Sequence, residues 1–397
     1  MKPVKIMQDI WWVGVQHPEL RVFDVIMETK WGTSYNSYFV QGNEKNAVID
    51  CVKDGFFDGQ LSRLRELTDP EEIDYIVINH CEPDHTGALT QLMDVAKNAT
   101  IVCSRPAKKL LEEITNRQFE CIVVSDGDTI DLGGKTLRFI MAPFLHWPDT
   151  MFTYVEEDAF LSTCDAFGFH YSAPELFDDL SPLSDELVVS QKYYFDVIMS
   201  PFKSYVRDAV GKICGLDIKV IGPSHGPILR HDPWEAVNRY ERWATEEENI
   251  PKKIYIGYVS CYGYTKKLAE KVFEGASAGS CEVEMEDISL IEPGEAAAKI
   301  RQADGFALGS PTLNRDALPP VWNVLTSCCA YWMKGKPAAV FGTYGWSGEA
   351  CGYMANRLEN LGTKVSGEAR AKLNPNEDEL KAAYDLGKAL LAAVKAN

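Results

Sequence analysis

One short stretch, residues 79–87, constrains this chain more than any other part of its sequence. It follows a branched apolar run at residues 76–78, which predicts a fully buried β-strand. Pro83 inside the stretch and Gly87 at its end predict a loop rather than a helix. Loops at the carboxyl ends of buried strands are where rigid scaffolds commonly place their chemistry. We therefore expect a functional site at the end of this strand.

Four potential metal ligands lie close together in this stretch: His80, Glu82, Asp84 and His85. In an extended loop, alternate residues point to the same side, so these side chains can converge. Imidazole suits zinc and iron alike, but several carboxylates favour iron over a thiolate-rich zinc site. The pattern predicts a metal centre and favours iron, with zinc left open. Cys81 alternates away from its neighbours, and we expect it to be a core thiol.

Three later strand ends offer further ligands. The apolar run at residues 137–143 leads to His146, a predicted hairpin ends beside Asp165, and the run at residues 218–221 leads to His225. A single histidine after a strand is usually a structural hydrogen-bonding group. The recurrence of His or Asp at three separate strand ends, each with Gly or Pro close by, indicates one shared site instead.

Length and charge restrict the function further. The chain has 397 residues, enough for two domains, and its 46% hydrophobic and 25% charged residues are those of an ordinary globular protein. A net charge of −18 argues against binding to nucleic acid.

We expect no signal peptide, and no apolar run approaches the roughly 20 residues of a membrane helix. The 11 cysteines include no Cys-x-x-Cys pair, so we expect reduced thiols and a cytoplasmic location.

A polar run broken by Pro251 separates two differently patterned halves of the chain. Short β-type runs, hairpins and helices fill residues 1–249, whereas strands and helices alternate in residues 250–397. Such alternation predicts a doubly wound parallel sheet that binds a ligand at the carboxyl ends of its strands. We therefore expect a domain boundary after residue 249.

Three strand-end loops of the second half carry groups that suit a phosphorylated cofactor. The first has the pattern Ser-x-x-Gly-x-Thr, lacks the dinucleotide fingerprint, and resembles the phosphate loop of flavodoxins that bind FMN. Aromatic side chains of the third loop, Tyr344 and Trp346, are placed to flank an isoalloxazine ring. The expected cofactor-binding residues are Ser260, Tyr262, Gly263, Tyr264, Thr265, Ser310, Pro311, Thr312, Leu313, Asn314, Thr343, Tyr344, Gly345, Trp346, Ser347 and Gly348.

With its ligand pattern followed by flavodoxin-like loops, the chain resembles the flavodiiron proteins, also called A-type flavoproteins. The resemblance covers nearly the whole chain and is to the two-domain form of these proteins. Glu82 stands where ordinary hydrolases of the related fold carry a second histidine. The resemblance implies an amino-terminal metallo-β-lactamase-like αββα sandwich and a carboxyl-terminal flavodoxin-like doubly wound sheet. It also implies two irons, with these ligands: His80, Glu82 and His146 for one, Asp84, His85 and His225 for the other, and Asp165 as the bridge.

The same resemblance implies reduction of dioxygen to water, of nitric oxide to nitrous oxide, or of both, at a non-haem diiron centre fed by FMN. Its expected electron donor is rubredoxin or a similar small protein, with a reduced deazaflavin coenzyme as the alternative. It implies a head-to-tail homodimer or a dimer of dimers. In family terms His170 and Tyr193, which adjoins Tyr194, fall near the site, and we expect catalytic roles for them.

Two other classes of function remain open from the sequence. One is a zinc hydrolase of the metallo-β-lactamase fold with an appended flavodoxin-like module, which Glu82 argues against. The other is an electron carrier in which the first domain only scaffolds, which the filled set of ligand positions argues against. The metal content of the protein distinguishes the hydrolase from the diiron enzyme.

Overall fold

The structure is a computed structural model that describes residues 2–25, 27–172, 175–180, 184–245 and 250–397. It divides into two compact units, Met1–Glu246 and Glu247–Asn397. The predicted domain boundary lies after residue 249, and the predicted linker begins just before it. Both predictions fall on residues 246–249, which lie outside the described residues.

The strands of the first unit form two large sheets and two small ribbons. In chain order they are β1 (Val4–Met7), β2 (Ile10–Trp12), β3 (Val15–His17), β4 (Val22–Phe23), β5 (Met27–Glu28), β6 (Thr33–Tyr35), β7 (Tyr38–Gln41), β8 (Asn46–Ile49), β9 (Tyr75–Ile78), β10 (Thr100–Ser104), β11 (Cys121–Val124), β12 (Thr129–Asp131), β13 (Thr136–Met141), β14 (Met151–Val155), β15 (Phe160–Cys164) and β16 (Val220–Pro223). The larger sheet has the order β1-β2-β7-β8-β9-β10-β11, and the second has the order β12-β13-β14-β15-β16. Strands β8 to β11 run parallel, as do β15 and β16, so their carboxyl ends lie together at one edge of each sheet.

The helices of the first unit are α1 (Phe57–Leu64), α2 (Pro83–Thr86), α3 (Leu89–Val95), α4 (Arg105–Thr115), α5 (Ser184–Tyr194), α6 (Lys203–Ile213) and α7 (Pro233–Ala244). Among the described helix starts, two have a side-chain cap: Ser104 accepts from Ala107 N at α4, and Asp232 accepts from Glu235 N at α7. A π-helical turn, Phe195–Met199, and a 3₁₀ turn, Ser200–Phe202, join α5 to α6.

The core of the first unit follows from the alternation of side chains along its strands. Tyr38 and Val40 on β7 and Phe139 on β13 lie in the apolar cluster between the two sheets. The neighbouring residues Phe39 and Ile140 point the other way and pack in the cluster that contains the helices. Each sheet therefore has its second sheet on one face and helices on the other, which confirms the predicted αββα sandwich.

The second unit is a parallel sheet covered by helices on both faces. Its elements are β17 (Lys253–Tyr258), α8 (Tyr264–Ala276), β18 (Glu282–Asp287), α9 (Pro293–Gln302), β19 (Gly305–Gly309), α10 (Pro319–Thr326), α11 (Ala330–Met333), β20 (Pro337–Tyr344), α12 (Glu349–Asn360), β21 (Lys364–Lys372) and α13 (Glu377–Ala396). All pairings are parallel, and the order is β18-β17-β19-β20-β21. This is the strand order of flavodoxins, and it confirms the predicted doubly wound sheet.

The direction of winding changes between β17 and β19. Helix α8, which follows β17, packs in the apolar cluster on one face of the sheet, and α10, which follows β19, packs in the cluster on the other. A crevice therefore opens at the carboxyl ends of these two strands, where doubly wound sheets bind their ligands. None of the described helices is both long enough and apolar enough to cross a membrane.

Candidate metal centre and cofactor pocket

Four strand ends of the first unit deliver side chains to one site. His80 follows β9 of the larger sheet, whereas His146, Asp165 and His225 follow β13, β15 and β16 of the second sheet. These residues come from distant parts of the sequence, and the packing of one sheet on the other brings them together. The predicted convergence of strand ends is therefore what the structure shows.

A buried asparagine joins the two sheets directly beneath the site. Asn79 Nδ2 donates to Ser162 Oγ at 3.1 Å, and Thr153 Oγ1 donates to Asn79 Oδ1 at 2.7 Å. All three side chains are fully buried. These bonds fix the start of the ligand stretch, on one sheet, to the strand that ends at Asp165, on the other.

The ligand stretch itself differs from the extended loop that the sequence predicted. Glu82 has extended backbone, but Pro83–Thr86 form the single helical turn α2, which contains Asp84 and His85. Pro83 is the first residue of this turn, where its fixed φ suits a helix and its missing N–H breaks no bond. The prediction of a loop without helix was wrong for these residues because a proline in that position starts a helix.

The first group of ligand side chains surrounds Glu82. His146 Nε2 lies 2.8 Å and His80 Nε2 lies 3.5 Å from Glu82 Oε2. Both imidazole nitrogens lie 3.6 Å from Asp165 Oδ2. His80 is fully buried, whereas the side chains of Glu82 and His146 are 16% and 15% exposed, so this group forms the open edge of the site.

The second group surrounds Asp84 and is buried. His225 Nε2 lies 2.9 Å from Asp84 Oδ2, and His85 Nε2 lies 3.3 Å from Asp84 Oδ1. These two imidazole nitrogens lie 3.4 Å and 3.3 Å from Asp165 Oδ1. Asp165 thus turns one oxygen to each group, as a carboxylate that bridges two metal positions must do.

The unpartnered atoms of the site show that these residues fit metals. Among the described residues, His80 Nε2, His85 Nε2 and both side-chain oxygens of Asp84 and Asp165 are buried without a hydrogen-bond partner. Buried polar atoms are normally paired, and each unpaired atom costs about 1–3 kcal/mol. Their ligand atoms lie within 4.8 Å of one another in two groups, one of His80, Glu82, His85 and Asp165, the other of Asp84, His85 and His225. Metal ions held by these two groups would satisfy the unpartnered atoms.

The neighbouring imidazoles lower the pKa values of two carboxyl groups in the site, Asp165 and Glu82. Burial alone would raise the pKa of the Asp165 carboxyl, but His85 and His80 hold it well below its ordinary value. Burial likewise opposes ionisation of Glu82, and its hydrogen bond to His146 lowers its pKa. Asp165 and Glu82 are therefore ionised at neutral pH, which is the form that binds metal.

Two of the histidines are oriented from behind by groups that the sequence analysis missed. His80 Nδ1 lies 3.1 Å from Asp149 Oδ2, and His225 Nδ1 lies 2.7 Å from the carbonyl oxygen of Ser34. Asp149 stands three residues after His146 in the same strand-end segment, so that spacing was a usable signal. Ser34 comes from β6, far away in sequence, and nothing in the sequence points to it.

His170 lies beside the second group of ligands. Its ring centroid is 4.8 Å from that of His225 and 5.1 Å from that of Tyr194, and its Nδ1 is 2.8 Å from Thr33 Oγ1. Tyr194 is buried and also contacts the His225 ring, at 6.3 Å between centroids, whereas Tyr193 is 42% exposed.

A cavity of about 190 Å³ reaches these residues and is lined by Glu28, Lys30, Trp31, His170, Val189, Ser190, Tyr193 and Tyr194.

The second unit has a cavity of about 300 Å³ at the predicted crevice. Its lining contains these predicted cofactor residues: Tyr262, Tyr264, Thr265, Pro311, Thr312, Leu313, Asn314, Thr343, Tyr344, Gly345, Trp346 and Ser347. The sequence analysis missed three further lining residues, Cys261, Arg315 and Leu373. Trp346 is 96% exposed, so its indole can cover a flat ring that enters from solvent.

Four predicted cofactor residues lie outside that lining, and these are Ser260, Gly263, Ser310 and Gly348. Ser260 Oγ accepts from Lys266 N, and buried Ser310 Oγ donates to Pro311 O and accepts from Leu318 N, so both hold the loops in shape. Gly263 and Gly348 have φ of +81° and +79° and immediately precede α8 and α12. They let the loops turn into the helices whose first residues border the cavity.

Comparison with known proteins places both units in one family. A family model described as "ODP family beta lactamase" matches residues 33–226, and one described as "Flavodoxin" matches residues 256–387. The chain is 41% identical over 394 residues to the flavo-diiron protein FprA2 of Clostridium acetobutylicum, with 98% of each chain covered. The chain belongs to the flavodiiron protein family.

Other relatives of this flavodiiron protein indicate its chemistry. It is 34% identical over 400 residues to the nitric oxide reductase of Moorella thermoacetica, with 99% of each chain covered. The solved rubredoxin oxygen:oxidoreductase of Desulfovibrio gigas matches it with a TM-score of 0.75 and 28% identity, with 99% of each chain covered. The predicted family, fold class and oxidoreductase activity are confirmed, and the zinc hydrolase is not favoured.

Proposed function

We propose that this flavodiiron protein reduces dioxygen to water, nitric oxide to nitrous oxide, or both, at a pair of irons in its first unit, with FMN bound in the second. The observation that carries the proposal is the Asp165 carboxylate, whose two oxygens face two separate groups of imidazole and carboxylate ligands. Such a donor set suits a pair of non-haem irons better than a single tetrahedral zinc.

We assign the ligands by the contacts in the site. One metal position takes His80, Glu82 and His146, the second takes Asp84, His85 and His225, and Asp165 bridges them. His85 is included because its Nε2 is buried, unpartnered among the described residues, and directed at both Asp84 and Asp165. When bound, ferrous iron and reduced FMN together supply the four electrons that convert dioxygen to two waters, and the iron pair alone supplies the two that convert two nitric oxides to nitrous oxide.

The residues of the chain control access to the site. Asp84, His85, Asp165 and His225 are buried, so their side of the site excludes water, which strengthens every electrostatic interaction there. The partly exposed edge at Glu82 and His146 is the side from which we propose that a small gas molecule enters.

We propose proton-handling roles for the residues near His225. Burial and the negative charge of Asp165 raise the pKa of Tyr194 well above its ordinary value, so its hydroxyl stays protonated. Burial and the nearby His225 lower the pKa of His170 well below its ordinary value, so His170 is neutral at pH 7. A protonated hydroxyl can donate a proton to the gas as it is reduced, and Tyr194 is better placed for this than the more exposed Tyr193. The catalytic role of Tyr193 stays a prediction.

The cavity of the second unit is the proposed FMN site. The N-terminus of α8, at Tyr264 and Thr265, borders it, and helix N-termini bind phosphate through their free N–H groups. Thr265 Oγ1 lies 2.8 Å from Thr343 Oγ1, which links the first and third loops. Tyr344 and Trp346 supply aromatic surface for the flavin ring.

The partners and the location of the protein are also proposals. A rubredoxin or similar small protein is the proposed donor, supported by the likeness to the Desulfovibrio gigas oxidoreductase, and a deazaflavin coenzyme is the alternative. We propose a head-to-tail homodimer, or a dimer of such dimers, from family resemblance. The cytoplasmic location is supported by the free thiols of all 11 cysteines.

Anaerobic turnover tests the proposed function. Protein with measured iron, zinc and FMN content is mixed with reduced rubredoxin and given dioxygen and nitric oxide separately. We expect two irons and one FMN per chain and consumption of at least one gas, with the ratio of rates assigning the substrate. Zinc in place of iron, with neither gas consumed, would overturn the proposal.

A further inference from the structure

A buried carboxylate stands behind one of the two metal positions. Asp149 is fully buried, and its Oδ2 accepts from Cys81 N at 2.7 Å and lies 3.1 Å from His80 Nδ1. Ser104 Oγ donates to the Asp149 carbonyl oxygen at 2.7 Å, so the backbone of Asp149 is fixed as well. One oxygen of Asp149 thus holds both the imidazole of His80 and the backbone of the ligand stretch.

These contacts determine the tautomer of His80. An ionised carboxylate only accepts hydrogen bonds, so His80 Nδ1 must carry the proton that faces Asp149. His80 Nε2 faces Glu82 and Asp165, and it would offer its lone pair to a metal that displaces its proton. Asp149 also ties the segment that carries His146 to the segment that carries His80, so it holds two ligands of the same metal position.

Behind His225, at the second metal position, the described acceptor of the Nδ1 hydrogen bond is neutral. His225 Nδ1 faces the neutral carbonyl oxygen of Ser34 at 2.7 Å, with Thr33 Oγ1 further away at 3.4 Å. Hydrogen bonds to an ionised acceptor are roughly twice as strong as those to a neutral one. A carboxylate behind a ligand imidazole also raises the basicity of that ligand.

We propose that Asp149 is a positioning residue that selectively strengthens the metal position formed by His80, Glu82 and His146 and stabilises the higher oxidation state of its iron. This inference rests on the proposed diiron assignment. The two positions have the same kinds of direct ligands, so the negative charge of Asp149, acting through His80, makes them inequivalent.

Asp149→Asn separates charge from hydrogen bonding. The Asn oxygen can still accept from Cys81 N and His80 Nδ1, whereas an NH₂ group in that place would meet two donors, so the orientation is fixed. Both hydrogen bonds are kept and the charge is lost, with the NH₂ group in the place of Oδ1, which is buried without a hydrogen-bond partner among the described residues. Asp149→Ala removes both. In anaerobic titrations of metal-free, FMN-loaded protein with ferrous iron, we expect Asp149→Asn to weaken one of two sites about tenfold and Asp149→Ala to weaken the same site about a hundredfold.

Asp50→Asn is the matched control. Asp50 is also a buried carboxylate that accepts from a backbone N–H of the ligand stretch, Asn79 N at 2.8 Å, but no hydrogen bond or ion pair joins it to a described ligand imidazole. We expect both iron affinities to stay within about twofold of the wild type, because the outer-shell effect requires contact with a ligand. The reduction potential of the iron centre should rise in Asp149→Asn and rise less in Asp50→Asn, because the charge of Asp50 acts on His85 and His80 only through space.

Several outcomes of these titrations would overturn the proposal. Wild-type affinities at both sites in Asp149→Asn and Asp149→Ala would show that Asp149 does not act through His80. Equal weakening of both sites, or the same loss in Asp50→Asn, would show a general structural role. A wild-type chain that binds fewer than two irons would remove the proposed function itself, which distinguishes that failure from the other two.

A measurement on the wild-type chain keeps the test valid if a variant fails to fold. With ¹⁵N-labelled histidine and diamagnetic zinc in the site, the Nδ1 proton of His80 should appear as a downfield, slowly exchanging signal bonded to nitrogen. Absence of that signal would overturn the proposal, since it would mean that His80 Nδ1 does not donate to Asp149.

Discussion

Asp165 lies between the two ligand groups, and both of its side-chain oxygens are buried without a hydrogen-bond partner among the described residues. We predict that Asp165→Ala lowers turnover at least about a hundredfold, since even outer-shell partners of metal ligands contribute 10–100-fold. FMN content should not change, because the cavity proposed for FMN is formed by the second unit alone. Steady-state turnover and flavin absorbance measure both effects.

The control for that change is Asp208→Ala, which removes an exposed aspartate of α6. Surface substitutions of this kind change stability by less than about 0.5 kcal/mol, so its turnover should equal that of the wild type. Full turnover of Asp165→Ala with an intact donor system would contradict the site assignment.

The two neighbouring tyrosines of α5 allow a paired test of proton donation. Tyr194 is buried against His170 and His225, whereas Tyr193, which lines the same cavity, is partly exposed. We predict that Tyr194→Phe slows turnover about a hundredfold, the usual contribution of a general acid, and that Tyr193→Phe has a smaller effect. The reverse order of the two rates would assign the role to Tyr193, and equal wild-type rates would exclude both.

The protonation of His85 predicts how metal binding depends on pH. When no metal is bound, burial opposes the charged form, but Asp84 and Asp165 outweigh it and raise the pKa of His85 from 6.5 to about 9. This imidazolium stabilises the metal-free fold fully below pH 6.5, and the stabilisation is lost as the pH rises through about 9. A metal must displace that proton, so binding at pH 7 should release protons and tighten as the pH rises towards 9.

Calorimetric titrations of the metal-free protein in two buffers with different enthalpies of ionisation count the released protons. The same apparent enthalpy in both buffers would mean that no proton leaves, and would contradict the protonated state of His85.

The direct ligands could be predicted from the sequence because they are polar residues placed where apolar runs stop. His80, His146 and His225 each follow a strand, and strand ends of packed sheets meet at an edge. Ser34 could not be found in this way, since it orients His225 with a backbone carbonyl, and every residue has one. Tyr193 and Tyr194 are adjacent and of the same type, so the sequence does not distinguish them. The position of each on the helix determines that the ring of Tyr194 is buried and that of Tyr193 is exposed.

At the scale of elements, α8 and α13 pack unusually closely through two glycines. A Cβ on Gly387 would lie 2.1 Å from Val272 O, and a Cβ on Gly275 would lie 2.0 Å from Tyr384 O. We predict that Gly387→Ala destabilises the second unit by about 1–3 kcal/mol, because the helices must separate to admit the methyl group. Denaturant unfolding monitored in the wild type and the variant measures the change.

Gly211→Ala in α6 is the control with the opposite sign. A Cβ there meets nothing within 4 Å, so the change should stabilise the protein by up to about 1 kcal/mol through helix propensity alone. Stabilisation by Gly387→Ala as well would contradict the close packing of α8 and α13.

The elements themselves were predictable where their pattern was regular. The mainly apolar runs of β17, β19 and β20 alternate with helices, and this predicts a parallel sheet from the sequence alone. The turn α2 was missed because Pro83 reads as a helix breaker, although at the first position it starts a helix. Gly133 and Gly134 lie in the turn between β12 and β13, and both have the positive φ that such a turn requires, +82° and +80°.

At the scale of the whole molecule, each unit has its own apolar clusters. We predict two thermal transitions, because each unit can fold around its own core. Added ferrous iron should raise the midpoint of one transition and added FMN the midpoint of the other, each by the binding energy of its own ligand. Differential scanning calorimetry with each ligand separately measures this, and a single transition that both ligands shift equally would contradict it.

Anomalous diffraction at the iron absorption edge, from crystals of the iron-loaded protein, is the most direct test of the diiron assignment. We predict two iron peaks on opposite sides of the Asp165 carboxylate, one bound by His80, Glu82 and His146 and the other by Asp84, His85 and His225. A single peak, or two peaks that do not share Asp165, would contradict the assignment.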